Sequence, residues 1–71
     1  MNEYLVVYER TSRNWGAYVP DLPGCVTTGP TRESCEQGIQ EAIALHLAGM
    51  REDGDPIPAP SAQAGTVKVA A

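Results

Sequence analysis

The side chains of this chain that could do chemistry are nine carboxylates, two cysteines and a single histidine. A metal-dependent nuclease needs several carboxylates that converge on divalent cations. The strand-like segments supply few of them, because Glu3 and Glu9 only flank the first segment and Asp21 stands between two prolines in a turn. We therefore interpret the acidic residues as a solvated face and keep a minimal metal-dependent nuclease as the last alternative.

The cysteines and the histidine favour structural roles. Cys25 and Cys35 lie ten residues apart, which is no metal-ligand spacing, and only Arg32 near them is basic. Free cysteines of this kind are commonly small buried hydrophobes. His46 falls on the apolar stripe of a predicted helix and has no partners for a ligand set. The sequence thus predicts no catalytic residue, no metal and no cofactor.

The charge balance limits the classes of partner. The chain has a formal net charge of -4 at pH 7, so the phosphates of nucleic acid would be repelled and we expect no direct nucleic-acid binding. An acidic surface favours encounter with a basic protein or serves solubility alone. No apolar run approaches the roughly 18 residues of a membrane span, and the first residues lack a signal-peptide pattern. We expect a soluble cytoplasmic protein without a membrane partner.

Three short apolar runs at the start of the chain predict strands at residues 4–8, 15–19 and 25–28. Turn-forming residues separate them at 11–14 and at 20–24, so consecutive strands should pair antiparallel. In the second turn, Gly24 is suited to the positive φ that a tight reversal needs.

One amphipathic helix follows. Thr31 is a suitable N-cap, and Gly54 with Pro56 behind it predicts the C-terminal end near residues 51–53. Between them, apolar side chains recur at steps of three and four and should cover one face of the sheet. This stripe comprises Cys35, Ile39, Ala42, Ile43, His46, Leu47 and Met50.

The remaining residues predict a connection and a last strand. Residues 55–65 are rich in Pro, Ala and Gly, whereas residues 66–69 alternate weakly as a strand. The right-handed crossover rule places that strand beside the first and parallel to it. The expected α+β fold is β-β-β-α-β, with three antiparallel strands, a fourth edge strand and one helix on one sheet face. In this single domain, residues 1–54 form the core, 55–65 the connection and 66–71 the C-terminal strand.

The string Val19-Pro-Asp-Leu-Pro-Gly-Cys25, followed by a glycine-bounded turn and a helix that starts at Thr31, resembles the HicB antitoxin family. The resemblance extends from Met1 to about Pro60. It implies a partial ribonuclease-H-like fold and a non-enzymatic role in neutralising a small basic HicA-type toxin that cleaves messenger RNA. Family members often carry a DNA-binding module after this core, so we expect no operator binding by these 71 residues alone.

Inhibition of the toxin would be steric, through the acidic face of the helix or through the turn at residues 20–24 with its neighbouring strand surface. So short a chain, with a first strand that is apolar on both faces, also predicts a homo-oligomer, a dimer or higher. A stand-alone oligomeric binding domain without a toxin is the main alternative. The candidate partner-binding residues are Tyr18, Pro20, Asp21, Leu22, Pro23, Glu33, Glu36 and Glu41.

Overall fold

A three-stranded antiparallel sheet opens the structure, a computed structural model that describes residues 2–70. Its strands are β1 (Val7–Arg10), β2 (Trp15–Tyr18) and β3 (Val26–Gly29), and they lie side by side in that order. Both neighbouring pairs are antiparallel. The predicted antiparallel arrangement of the first three strands is confirmed.

β1 lies later in the chain than the apolar run at residues 4–8 predicts. Its first residue, Val7, is opposite Tyr18, the last residue of β2, so residues 2–6 have no strand beside them. A tight turn sets this register, because the Thr11 hydroxyl oxygen accepts a hydrogen bond from the Asn14 N–H at 3.0 Å. The turn therefore extends the hairpin into the polar residues at the end of β1.

The helix α1 (Arg32–Asp53) has the ends that the sequence predicts. At its start, the Ser34 N–H donates to the Thr31 hydroxyl at 3.0 Å, and the Thr31 N–H donates to the Ser34 hydroxyl at 3.2 Å. This reciprocal pair satisfies two backbone donors that a helix N-terminus leaves free. At its end, Gly54 takes a left-handed φ of 73° and its N–H bonds back to the last turn.

The core lies between α1 and the sheet, where the helix packs on β2 and β3. The predicted apolar stripe faces inward, with its first members fully buried and its later members half-buried. Gly38 allows close approach, because a Cβ at this position would lie 2.6 Å from the Thr27 hydroxyl oxygen. The buried apolar residues are Ala17, Val19, Leu22, Cys25, Cys35 and Ile39.

Aromatic and aliphatic side chains from the start of the chain close the margin of this core. Tyr4, Val6 and Tyr8 pack against the buried cluster, as does Trp15 of β2. The Arg32 guanidinium stands 4.7 Å from the centre of the Tyr8 ring, a cation–π contact that joins the helix to β1. These rings therefore lie on the helix-covered side of the sheet.

The predicted fourth strand does not form within residues 2–70. Residues 66–69 pair with no strand, and the Val67 and Val69 side chains are 86% and 78% exposed. The chain is held earlier, at residues 58–62, by hydrogen bonds to Tyr4 and Asp21. The residues beyond bury no apolar surface that could offset the entropy of ordering a strand. The observed element order is β-β-β-α, so the parallel edge strand is a wrong prediction for this structure.

Candidate partner-binding surface

The turn at residues 20–24 is closed by backbone hydrogen bonds on both sides of its tip. The Val19 N–H donates to the Cys25 carbonyl at 3.1 Å, and the Leu22 N–H donates to the Val19 carbonyl at 3.0 Å. Gly24 has a φ of 84°, which confirms the predicted left-handed residue. These hydrogen bonds fix the backbone of the turn, so its outward side chains have defined positions.

Leu22 anchors this turn from within. Its side chain is 0% exposed and belongs to the core, so it is not presented to a partner in this structure. The prolines beside it, Pro20 and Pro23, are exposed at the tip. Of the apolar side chains expected at this surface, the structure thus presents the two prolines and uses the leucine for folding.

Asp21 holds a distant part of the chain. Its carboxylate accepts the Ser61 N–H at 2.8 Å, the Ser61 hydroxyl at 2.9 Å and the Ala62 N–H at 3.0 Å. The backbone donor of Ser61, followed by that of Ala62, lowers the pKa of Asp21 from its ordinary value because both donors favour the ionised carboxylate. We call residues 55–62 the strap and residues 63–70 the tail.

A second contact holds the strap near the start of the chain. The Tyr4 hydroxyl donates to the Pro58 carbonyl, a contact between residues 54 positions apart. Ile57, Pro58 and Ala62 are the half-buried residues of the strap, and its other residues are exposed. The predicted extended connection is therefore docked at two points, beside the turn that carries Pro20 and Pro23.

The three candidate carboxylates of the helix are exposed but do not share one narrow face. Successive residues turn by about 100° around a helix, so Glu36 and Glu41 point roughly 140° apart. Glu36 also lies 3.7 Å from the Arg32 guanidinium in an exposed ion pair. Glu33 stands in the first turn, where a carboxylate interacts favourably with the helix dipole. These residues supply a diffuse negative field.

Tyr18 lies on the opposite side of the molecule. Its neighbour Ala17 is buried beneath the helix, so alternation puts Tyr18 on the open face of the sheet, where it is 39% exposed. The eight candidate residues therefore occupy four places: the core, the turn, the helix and the open sheet face.

The groups considered for chemistry have packed environments. Cys25 and Cys35 are free and buried, as the sequence predicts, and burial raises the pKa of the Cys25 thiol. His46 is half-buried on the helix stripe. In the part of the chain that the structure describes, three or more His, Cys, Asp or Glu side chains nowhere gather as a metal site would require.

Sequence reasoning missed the contacts of the strap and the stacking of Arg32 on Tyr8. The partners of the strap contacts are 40 to 54 positions apart, and no periodic pattern relates them. Asp21 between prolines indicates a turn but says nothing about which backbone donors its carboxylate meets.

A family model described as "HicB_like antitoxin of bacterial toxin-antitoxin system" matches residues 4–70. The chain belongs to this HicB-like family. The match includes the turn, the helix, the strap and the tail, so the strap and the tail are part of the family domain.

The chain is also similar to individual proteins, one of which is named as an antitoxin. Antitoxin HicB 2 of Photorhabdus laumondii is 34% identical over 58 residues, which cover 82% of this chain and 42% of the relative. An uncharacterized 14.9 kDa protein of Haemophilus phage HP1 is 34% identical over 55 residues, or 78% of this chain and 41% of its own length. A UPF0150 protein of Thermoplasma acidophilum is 37% identical over 49 residues, which cover 69% and 71% of the two chains.

The HicB-like chain thus spans about two fifths of the length of the phage protein and of the Photorhabdus antitoxin. No solved structure gives a significant match. Among residues 2–70, no helix is both long enough and apolar enough to cross a membrane.

Proposed function

We propose that this chain is the antitoxin of a toxin-antitoxin pair, and that it binds a small basic HicA-type toxin and blocks its RNA-cleaving site sterically. The observation that carries the proposal is the family match over residues 4–70. The net charge of -4 supports it, because a protein that handles RNA is expected to be basic and would be attracted to this surface.

The contact surface proposed is the turn at residues 20–24 together with the strap beside it. Pro20 and Pro23 are exposed there on a backbone closed by hydrogen bonds, so binding would cost little ordering entropy. Asp21 joins the turn to Ser61 and makes the two segments one surface. The exposed Glu33, Glu36 and Glu41 act at longer range, by steering the basic partner.

The first experiment is co-expression of the chain with the protein encoded by the neighbouring reading frame, scored by growth and by co-purification. Growth rescue together with a stable complex is the expected result. Leu45→Ser serves as the matched surface control, because Leu45 is an exposed apolar residue outside the proposed contact. A folded chain that neither rescues growth nor forms a complex would retire the antitoxin proposal.

The steering role has a kinetic signature. Changing Glu33, Glu36 and Glu41 to Lys should slow association and flatten its salt dependence while leaving dissociation nearly unchanged. Changing Glu3, Glu52 and Asp53 to Lys alters the net charge equally and is the matched control. Equal slowing by both triple variants would show that net charge alone is responsible and that the helix positions have no special role.

The alternative function is a stand-alone oligomeric binding domain without a toxin. The open sheet face favours it, since Tyr18 and Val26 leave apolar surface exposed there. Tyr18→Ala tests whether this face contacts a toxin: faster dissociation of the toxin, with a loss of about 2 kcal/mol or more, would make it a toxin contact. Unchanged toxin binding would assign it to another partner.

We further propose that the chain acts in the cytoplasm as an oligomer, without enzymatic activity and without binding DNA by itself. Its β-β-β-α core corresponds in this proposal to the partial ribonuclease-H-like fold that the family resemblance implies. Magnesium-dependent cleavage of RNA that is lost in Asp21→Asn would contradict the non-enzymatic role.

A further inference from the structure

The open face of the sheet carries a shallow groove that no part of the described chain fills. Gly16 forms its floor, where a Cβ would meet only the Thr27 carbonyl oxygen, at 3.8 Å. Tyr18 and Val26 form an apolar wall, and Glu9 stands at the rim. The depression measures about 400 Å³. It lies across the sheet from α1.

Among residues 2–70, five large apolar side chains are exposed, and four of them lie either in the groove or in the tail. Tyr18 and Val26 line the groove, whereas Val67 and Val69 lie in the tail at 86% and 78% exposure. In an extended chain alternate residues share a side, so both valines can face one surface together. The groove and one side of the tail are therefore both apolar.

The charges of the two parts are also complementary. Residues 1–55 hold all nine acidic residues and four of the five basic ones, a formal balance of -5. Residues 56–71 hold Lys68 as their single charged side chain, a balance of +1. Contact between residues 1–55 of two copies would thus bring like charges together, whereas contact between a tail and residues 1–55 of the other copy brings opposite charges together.

The strap anchors the start of the tail at Asp21, and the tail does not enter the groove of its own chain. Tyr4, which bonds the strap at Pro58, packs against the core on the helix-covered side of the sheet. Asp21 fixes Ser61 and Ala62, and the tail valines beyond them touch no groove of their own chain. A second copy has no such restriction.

We propose that the groove lined by Tyr18 and Val26 receives residues 66–69 of a second copy of this chain, with Val67 and Val69 against the groove and Lys68 beside Glu9. The exchange is reciprocal, so each copy gives a tail and receives one. This exchange buries the apolar wall of the groove together with Val67 and Val69 of the tail.

Sedimentation equilibrium of the full chain tests this proposal without any toxin, so its outcome is independent of the proposed function. Val67→Ser with Val69→Ser should raise the dissociation constant for self-association at least tenfold. Leu45→Ser is the matched control and should leave it unchanged. These side chains are exposed in the single chain, so the substitutions do not threaten folding. Self-association as strong in the double variant as in the unaltered chain would overturn the proposal, as would an unaltered chain that stays monomeric at millimolar concentration.

A charge exchange tests the pairing of Lys68 with Glu9. Lys68→Glu and Glu9→Lys should each weaken self-association, and the chain that carries both changes should recover most of it. The distinction between copies comes from a spin label at Ala70→Cys, an exposed position outside residues 66–69, mixed with isotope-labelled chain that carries no spin label. Broadening of the Gly16 and Val26 amides in that mixture supports a second copy as the occupant. Broadening only when label and isotope are in the same molecule would overturn it.

Discussion

Different forces order two parts of the molecule. One part is the body, residues 7–54, and the other is the strap with its tail, residues 55–70. The body buries six apolar residues between one helix and three strands. The strap is held by four hydrogen bonds, one donated by the Tyr4 hydroxyl and three accepted by the Asp21 carboxylate, and the tail beyond it lies in solvent. Apolar burial stabilises the body strongly, whereas hydrogen bonds that water can replace contribute little net free energy. The body and the strap should therefore respond differently to the same perturbation.

The largest expected effect is a lower free energy of unfolding of the body. Ile39 is 2% exposed between the helix and the sheet, so Ile39→Ala should lower the free energy of unfolding by about 2–5 kcal/mol through lost burial and a cavity. Urea denaturation followed by circular dichroism measures it. Leu45→Ala on the exposed side of the same helix is the control and should change stability by less than about 0.5 kcal/mol. Similar losses in both variants would contradict the assigned packing.

Two glycines of the helix should respond differently to replacement by alanine. A Cβ at position 49 meets open space, so Gly49→Ala should stabilise the chain by about 1 kcal/mol through helix propensity. At position 38 the Cβ would press on Thr27, and overpacking that costs about 1–3 kcal/mol should cancel or outweigh the same gain. Thermal unfolding of the two variants measures the difference. Equal stabilisation by both would show that the helix and β3 do not approach closely at Gly38.

The helix cap should have a smaller effect. Thr31→Ala removes one side of the reciprocal pair with Ser34 and should cost about 1 kcal/mol. Thr66→Ala in the tail is the matched control, because that threonine is exposed and outside the helix. If the two threonine variants unfold at the same denaturant concentration, the cap is not a stabilising contact.

Perturbation of the strap should leave the unfolding of the body almost unchanged. Asp21→Ala removes the acceptor for Ser61 and Ala62, so these amides should exchange hydrogen faster while the amide of Ile39 keeps its protection. Asp55→Ala is the control, because it removes one negative charge from an exposed position and leaves the hydrogen bonds of Asp21 with Ser61 and Ala62 in place. Parallel loss of protection at Ile39 would mean that the strap and the body unfold as one unit.

The strap should also be released by acid. Hydrogen bonds from the backbone of Ser61 and Ala62 hold the pKa of Asp21 below its ordinary value of 3.8, so the contact favours the ionised carboxylate. The stabilisation is fully present above that value and is lost as the pH falls through the lowered pKa of the folded chain. Chemical shifts of the Ser61 and Ala62 amides, followed during acid titration, should report this change. Release that begins near neutral pH would contradict the assignment to Asp21.

The same division explains how far the sequence predicts the structure. The helix, its caps and its buried face follow from local chemistry: Thr31 caps, Gly54 terminates, and the apolar stripe repeats with the helical period. The left-handed Gly24 follows from the turn. These features depend on residues a few positions apart, and their predictions were confirmed.

Long-range contacts were not predictable in this way. The register of the first hairpin depends on the Thr11 turn and moved β1 three residues along the chain from the apolar run. The weak alternation at residues 66–69 indicated a strand, but no edge pairs with it in the structure. In the candidate surface, Leu22 and Asp21 were predicted to bind a partner, whereas in the structure the leucine is in the core and the aspartate holds the strap.

The central claim is that the chain neutralises a basic RNA-cleaving toxin, and an inhibition titration tests it most directly. The purified protein encoded by the neighbouring reading frame would be incubated with RNA, and the folded chain would be added in increasing amounts. If the chain blocks the toxin sterically, cleavage falls with the amount of chain and ends at a fixed ratio of the two proteins. Undiminished cleavage at a molar excess of folded chain would contradict the account.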